Sequence, residues 1–148
     1  MKSRLILLFF AFLMGFSAYA QEKPMAVSYE EFQSWMKTLT PLGYPFTETG
    51  KNGNEYLSTF LKEKELKMIG ITLSPLSTFD DYKKFKGATP YTYKKHKAVF
   101  YGTQNFWNLT MEVPELSLCF QVTTVYLDAT REQLEKVIDE SGVLSRKK

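Results

Sequence analysis

The side chains with the most reactive chemistry crowd into one stretch, TPYTYKKHKAVFYG, from Thr89 to Gly102. Lys94, Lys95 and Lys97 surround His96, the chain's single histidine, and Tyr91, Tyr93, Phe100 and Tyr101 flank them. Basic residues interleaved with aromatics suit a polyanion, and a lone histidine suits proton transfer near neutral pH. Elsewhere reactive types are sparse. One histidine and one cysteine, Cys119, do not supply a His-rich or Cys-rich metal centre. Cys119 has no partner for an intramolecular disulfide, and in the apolar run LSLCFQV it reads as a small buried side chain. Asp80 and Asp81 are adjacent, so an extended chain points them to opposite sides, and the first turn of a helix accounts for them as well. No glycine-rich phosphate loop, nucleophile elbow or calcium loop is present. The inventory argues against an enzyme and implies no cofactor and no metal. A carboxylate-only site assembled from distant residues is the catalytic chemistry left open.

The ends of the chain bear on where this chemistry operates. Lys2 and Arg4 precede an apolar run from Leu5 to Phe16, and Ala18-Tyr19-Ala20 is a small-x-small cleavage site. That is the three-part pattern of an export signal, with Gln21 as the first mature residue. The run is shorter than the roughly 20 apolar residues a membrane span needs, and no second run is longer. Cleavage leaves 128 residues, residues 21–148, enough for one domain with its own core. It also removes two basic residues and no acid, lowering the formal charge from +3 to +1. The expected compartment is the periplasm or the exterior. A near-neutral exported domain has no global field to draw nucleic acid. KHKAVFYG also lacks the glycine and the aromatic spacing of an RNA-recognition strand. Asn108-Leu109-Thr110 matches a glycosylation sequon, which an export signal of bacterial type argues against using.

Two helices must frame the domain. Ser28 and Glu31 form a capping box ahead of Phe32, Trp35, Met36 and Leu39, an apolar stripe that Pro41 ends. Thr130 and Gln133 repeat the box ahead of Leu134, Val137 and Ile138, with Gly142 placed to cap the end. Between them the period becomes two. Ile69, Ile71 and Leu73 share one side. Trp107, Leu109, Met111 and Val113 oppose Asn108, Thr110 and Glu112, while Leu116, Leu118, Phe120 and Val122 oppose Ser117, Cys119, Gln121 and Thr123. Such alternation predicts antiparallel strands with one face in water. Residues 42–65 are ambiguous: GYPFTETGKNGNE reads as loop with a turn near Asn52-Gly53, and EYLSTFLKEKEL leans to strand. The expected fold is α+β, an antiparallel meander sheet with an N-terminal and a C-terminal helix packed on it. The second helix should lie over Trp107, Leu109, Leu118 and Phe120.

Within that frame the basic stretch becomes a hairpin. A four-residue loop from Lys94 to Lys97 is favoured, because Lys-His is a poor pair for a tight two-residue turn. It places Tyr91, Tyr93, Ala98 and Phe100 on the core face and Thr92, Val99 and Tyr101 on the other. The candidate binding residues are therefore Lys94, Lys95, His96 and Lys97 at the tip, with Val99 and Tyr101 along the outward edge. Solubility and edge protection account for the lysines more simply.

The order GITLSP, loop, YTYKKHKAVFYG, LTMEV, LSLCFQV and the capped TREQLEKVIDESGVL resembles the PsbP-like architecture and other small exported domains of unknown function, over residues 66–144. The resemblance implies an antiparallel sheet carrying helices, and a binding or assembly module rather than an enzyme. The expectation is an exported envelope protein that binds a partner protein or a small ligand. A small carboxylate-based hydrolase and a purely structural assembly subunit are the alternatives. A cavity lined by aromatics, two converging carboxylates or a flat patch around Val99 and Tyr101 would separate them.

Overall fold

The structure, a computed structural model, describes residues 23–147. The expected export signal lies outside these residues. Helix α1, Tyr29–Met36, starts where Ser28 Oγ accepts from the Glu31 amide and the Glu31 carboxylate accepts from the Ser28 amide. Helix α3, Arg131–Ser141, starts on the matching Thr130–Gln133 box and ends at Gly142, whose φ of 71° closes the last turn. Each box satisfies backbone donors that the first turn leaves without partners.

Seven strands form one antiparallel sheet: β1 Phe46–Asn52, β2 Glu55–Lys62, β3 Lys67–Pro75, β4 Thr89–Tyr93, β5 His96–Thr103, β6 Phe106–Val113 and β7 Leu118–Val125. Their spatial order is β1-β2-β3-β7-β6-β5-β4. Strands adjacent in sequence are neighbours in space except at the passage from β3 to β4. There Leu76–Thr78 forms a 3-10 turn and Phe79–Tyr82 a one-turn helix, α2.

One face of the sheet carries the main core. Phe60, Ile69, Ile71, Leu73, Leu109 and Phe120 are fully buried there, beneath Phe32 and Met36 of α1 and Leu134 and Ile138 of α3. Each such side chain contributes about 1.5–3 kcal/mol on leaving water. Trp35 joins the two helices. Its indole Nε1 donates to the Ser141 carbonyl at 2.8 Å, its ring lies 5.8 Å from that of Phe120, and the Arg146 guanidinium sits 4.0 Å from the ring centre.

Three expectations are corrected. FTETGKN is not loop but the edge strand β1. Its half-exposed residues and a register break between Phe46 and Glu48 hide the period. The Lys94–Lys97 loop is a two-residue turn at Lys94-Lys95, pairing Tyr93 with His96 and Tyr91 with Ala98. Both turn residues take positive φ, 45° and 73°, the combination of a type I′ turn whose twist matches the strands. The register moves by two residues, so the faces stay as expected. The second face of the sheet is not wet: Asn108, Thr110, Gln121 and Thr123 are each at most 3% exposed.

Gly102 bears on the join of β5 and β6. A Cβ there would run into the Phe106 carbonyl oxygen and stand 2.6 Å from Cε3 of Trp107, whose ring stacks on Phe100 at 5.5 Å. Gly102→Ala is expected to destabilise the fold by roughly 1–3 kcal/mol. Urea unfolding should show a lower midpoint with an unchanged slope, and an unchanged midpoint would contradict the packing described.

Candidate functional site

The hairpin tip is tied down within the molecule. Lys94 Nζ lies 2.6 Å from Asp139 Oδ1 of α3, and the Tyr93 hydroxyl donates to Asp139 Oδ2 at 2.9 Å. Lys97 Nζ is 3.7 Å from Glu112 Oε1. His96 Nδ1 is 3.1 Å from the Glu112 carbonyl and 4.0 Å from the Glu115 carboxylate. Lys95 is exposed. Val99 faces away from the main core as expected, yet it is fully buried with Phe79 and Cys119, so no flat open patch surrounds it. His96 and Cys119 project from opposite faces of the sheet and do not meet. Of the candidate residues, Tyr101 lines a cavity.

That cavity opens on the second face of the sheet and encloses about 270 Å³. Its walls are Tyr82, Phe85, Tyr101 and Phe106. Phe85 and Tyr101 stack in parallel, with centres 4.9 Å apart and planes 12° apart, while Tyr82 and Phe106 stand 6.3 and 6.2 Å from them. The strands supply Tyr101 and Phe106, and the β3–β4 passage supplies Tyr82 and Phe85.

Asn108, Gln121 and Thr123 form the floor. Asn108 Nδ2 donates to Thr123 Oγ1 at 2.9 Å. Asn108 Oδ1 accepts from Thr110 Oγ1 at 3.0 Å and from Gln121 Nε2 at 3.2 Å, and Gln121 Nε2 also donates to Thr110 Oγ1 at 3.1 Å. The registers explain the cluster, since Thr123 pairs with Asn108 and Gln121 pairs with Thr110 across β6 and β7. Capacity then fixes what the floor offers. Gln121 spends both amide hydrogens on its neighbours and keeps its carbonyl, while Asn108 keeps one amide hydrogen. A neutral acceptor and a neutral donor therefore stand side by side.

A larger hollow of about 560 Å³ lies between the Thr38–Gly43 segment and α3. Its charged residues Lys136 and Glu140 pair with each other at 3.6 Å, and no aromatic side chain lines it among the described residues. The smaller cavity has the composition of a ligand site, apolar walls with a few placed polar groups.

Beyond Tyr82 the same face holds a separate buried cluster. Ser74 Oγ lies 3.0 Å from Thr78 Oγ1 and 3.4 Å from the Tyr82 hydroxyl. Burial pushes the Cys119 thiol up to about 12, so it stays protonated and is a poor nucleophile at neutral pH. Desolvation also raises the Glu55 carboxyl to about 7. Burial is the only cause of that rise, with no neighbouring charge contributing to it. Among the described residues no cluster of three or more His, Cys, Asp or Glu is arranged to hold a metal ion. No helix in them is long and apolar enough to cross a membrane.

No family model, no curated protein and no solved structure matches this chain.

Two outcomes follow from this face. Asn108→Ala removes one partner each from Thr123, Thr110 and Gln121, leaving the Gln121–Thr110 bond, and should cost roughly 1–3 kcal/mol in chemical denaturation. The Glu55 contribution has a definite sign. Its folded pKa exceeds its ordinary value of 4.5, so the folded state holds the proton more tightly and stability is lost as pH rises from about 4.5 to about 7. Glu55→Gln should therefore raise the melting temperature at pH 8 relative to the parent protein, with the gap narrowing towards pH 5. A gap that does not change with pH would refute the raised carboxyl.

Proposed function

We propose that this chain is an exported, non-enzymatic envelope domain that binds a small ligand in the aromatic-walled cavity of its second sheet face. The observation that carries the reading is a rigid polar floor under an open aromatic mouth. The amides and hydroxyls are held by one another on paired strands, so the floor is organised before a ligand arrives, which lowers the ordering cost of binding. The N-terminal export pattern supports a periplasmic or secreted site of action. The internal pairing of Lys94 and Lys97 disfavours the hairpin tip as the main contact, and the burial of Val99 disfavours a flat protein interface there.

One observation favours a second reading, a small hydrolase. Glu55, with its pKa near 7, has the value a general acid or base needs at neutral pH. It stands outside the cavity lining, and burial alone, with no charged neighbour contributing, raises it, so ligand binding is the better-supported reading.

Native mass spectrometry of the protein purified from its own envelope tests the choice. The expected result is a retained mass of a few hundred daltons at most, lost in Tyr101→Ala while the fold survives by circular dichroism. A bare monomer, or a mass that Tyr101→Ala does not disturb, would count against the cavity.

A further inference from the structure

The residues of this cavity also set the class of ligand it takes, an inference that rests on the cavity being the binding site. We infer that it takes a small aromatic carboxylate, with the ring against the Tyr101–Phe106 wall and the carboxylate at Lys86. Lys86 lines the mouth and makes no ion pair or cation–π contact with any described residue. Its neighbours differ. Lys83 is held by Asp80 and Lys84 by Asp81, each at 2.6 Å, so both local acids are engaged and Lys86 is the free cation of the loop.

The alternatives are excluded by the same residues. Four aromatic walls would suit a quaternary ammonium if they faced one another around a hole. Here Phe85 and Tyr101 stack face to face, which closes that space, and a lysine at the mouth repels a cation. No acid lines the cavity among the described residues, so nothing there neutralises a positive charge. A neutral ligand would leave Lys86 unused. A dianion would meet one cation and a floor with no charge. The volume of about 270 Å³ is below that of a drug-sized pocket, which limits the ligand to one ring with short substituents. A ring substituent bearing a hydroxyl or amide would complete the floor, donating to the Gln121 carbonyl and accepting from the Asn108 amide.

Three probes of one shape test the class: benzoate, benzamide and benzylamine, titrated into the purified protein and followed by two-dimensional NMR. Benzoate should bind about tenfold more tightly than either of the others, the scale of one charge-assisted hydrogen bond, and should move the signals of Tyr101, Phe106 and Gln121. Lys86→Glu should remove that tenfold advantage and leave benzamide unchanged. Lys84→Glu, two residues away in the same loop, should leave all three as they were. Benzylamine binding as well as benzoate, or benzoate unaffected by Lys86→Glu, would overturn the anionic class while the cavity itself still binds a ring. Binding of none of the three overturns the class too, and a ligand retained from the envelope would then show that the cavity reading stands without it.

Discussion

Polar side chains on the buried central strands must find partners among themselves, and in the Asn108–Thr110–Gln121–Thr123 cluster β6 and β7 supply them to one another. Strand β7 is buried along its whole length, Leu118–Val125. An unpaired amide or hydroxyl in such a strand costs about as much as several hydrogen bonds contribute. The four side chains pair with each other because β6 and β7 are in one register. A slip of one residue would put them among the leucines of the main core and put those leucines over the cavity. The same bonds that floor the cavity therefore fix the central strand pair, and through it the rest of the sheet.

The two faces divide the work. The first is apolar and covered by α1 and α3, with Trp35 bonded across them to Ser141. That face supplies most of the apolar burial. The second face is covered mainly where the β3–β4 passage lays Phe79 and Tyr82 against it. Because this passage is a short 3-10 turn and one turn of helix, it covers part of the face and leaves Phe85 over the remainder, 42% exposed and stacked on Tyr101. The cavity is the gap between a fully formed sheet and its incomplete cover. Its floor is as rigid as the strands, and its outer wall belongs to a loop with Gly87 at a φ of 81°.

Much of the frame was legible. Both capping boxes, the apolar stripes of α1 and α3 and the two-residue period of β3, β6 and β7 sit where the sequence places them, because each is written in local spacing. β1 was not legible, since its polar residues lie at an edge with little to bury and a bulge breaks their alternation. The hairpin turn is not legible, because two lysines at positive φ are locally unfavourable and the partner that holds Lys94, Asp139, is 45 residues away. The cavity was the least legible part. Only Tyr101 stood among the candidates, while Tyr82 and Phe85 reach it from a segment whose path no periodicity encodes. One signal lies in the composition of the cavity floor. Asn108, Thr110, Gln121 and Thr123 carry no charge, whereas a strand face in water ordinarily mixes lysine and glutamate among such residues.

The central claim is that the aromatic mouth and polar floor on the second face enclose a ligand. A crystal structure of the protein isolated from its own envelope, without added ligand, tests it most directly. The account predicts electron density for a single-ring compound against the Tyr101–Phe106 wall, within hydrogen-bond distance of Asn108 and Gln121. A collapsed cavity, with Phe85 turned inward over those two amides, would contradict it.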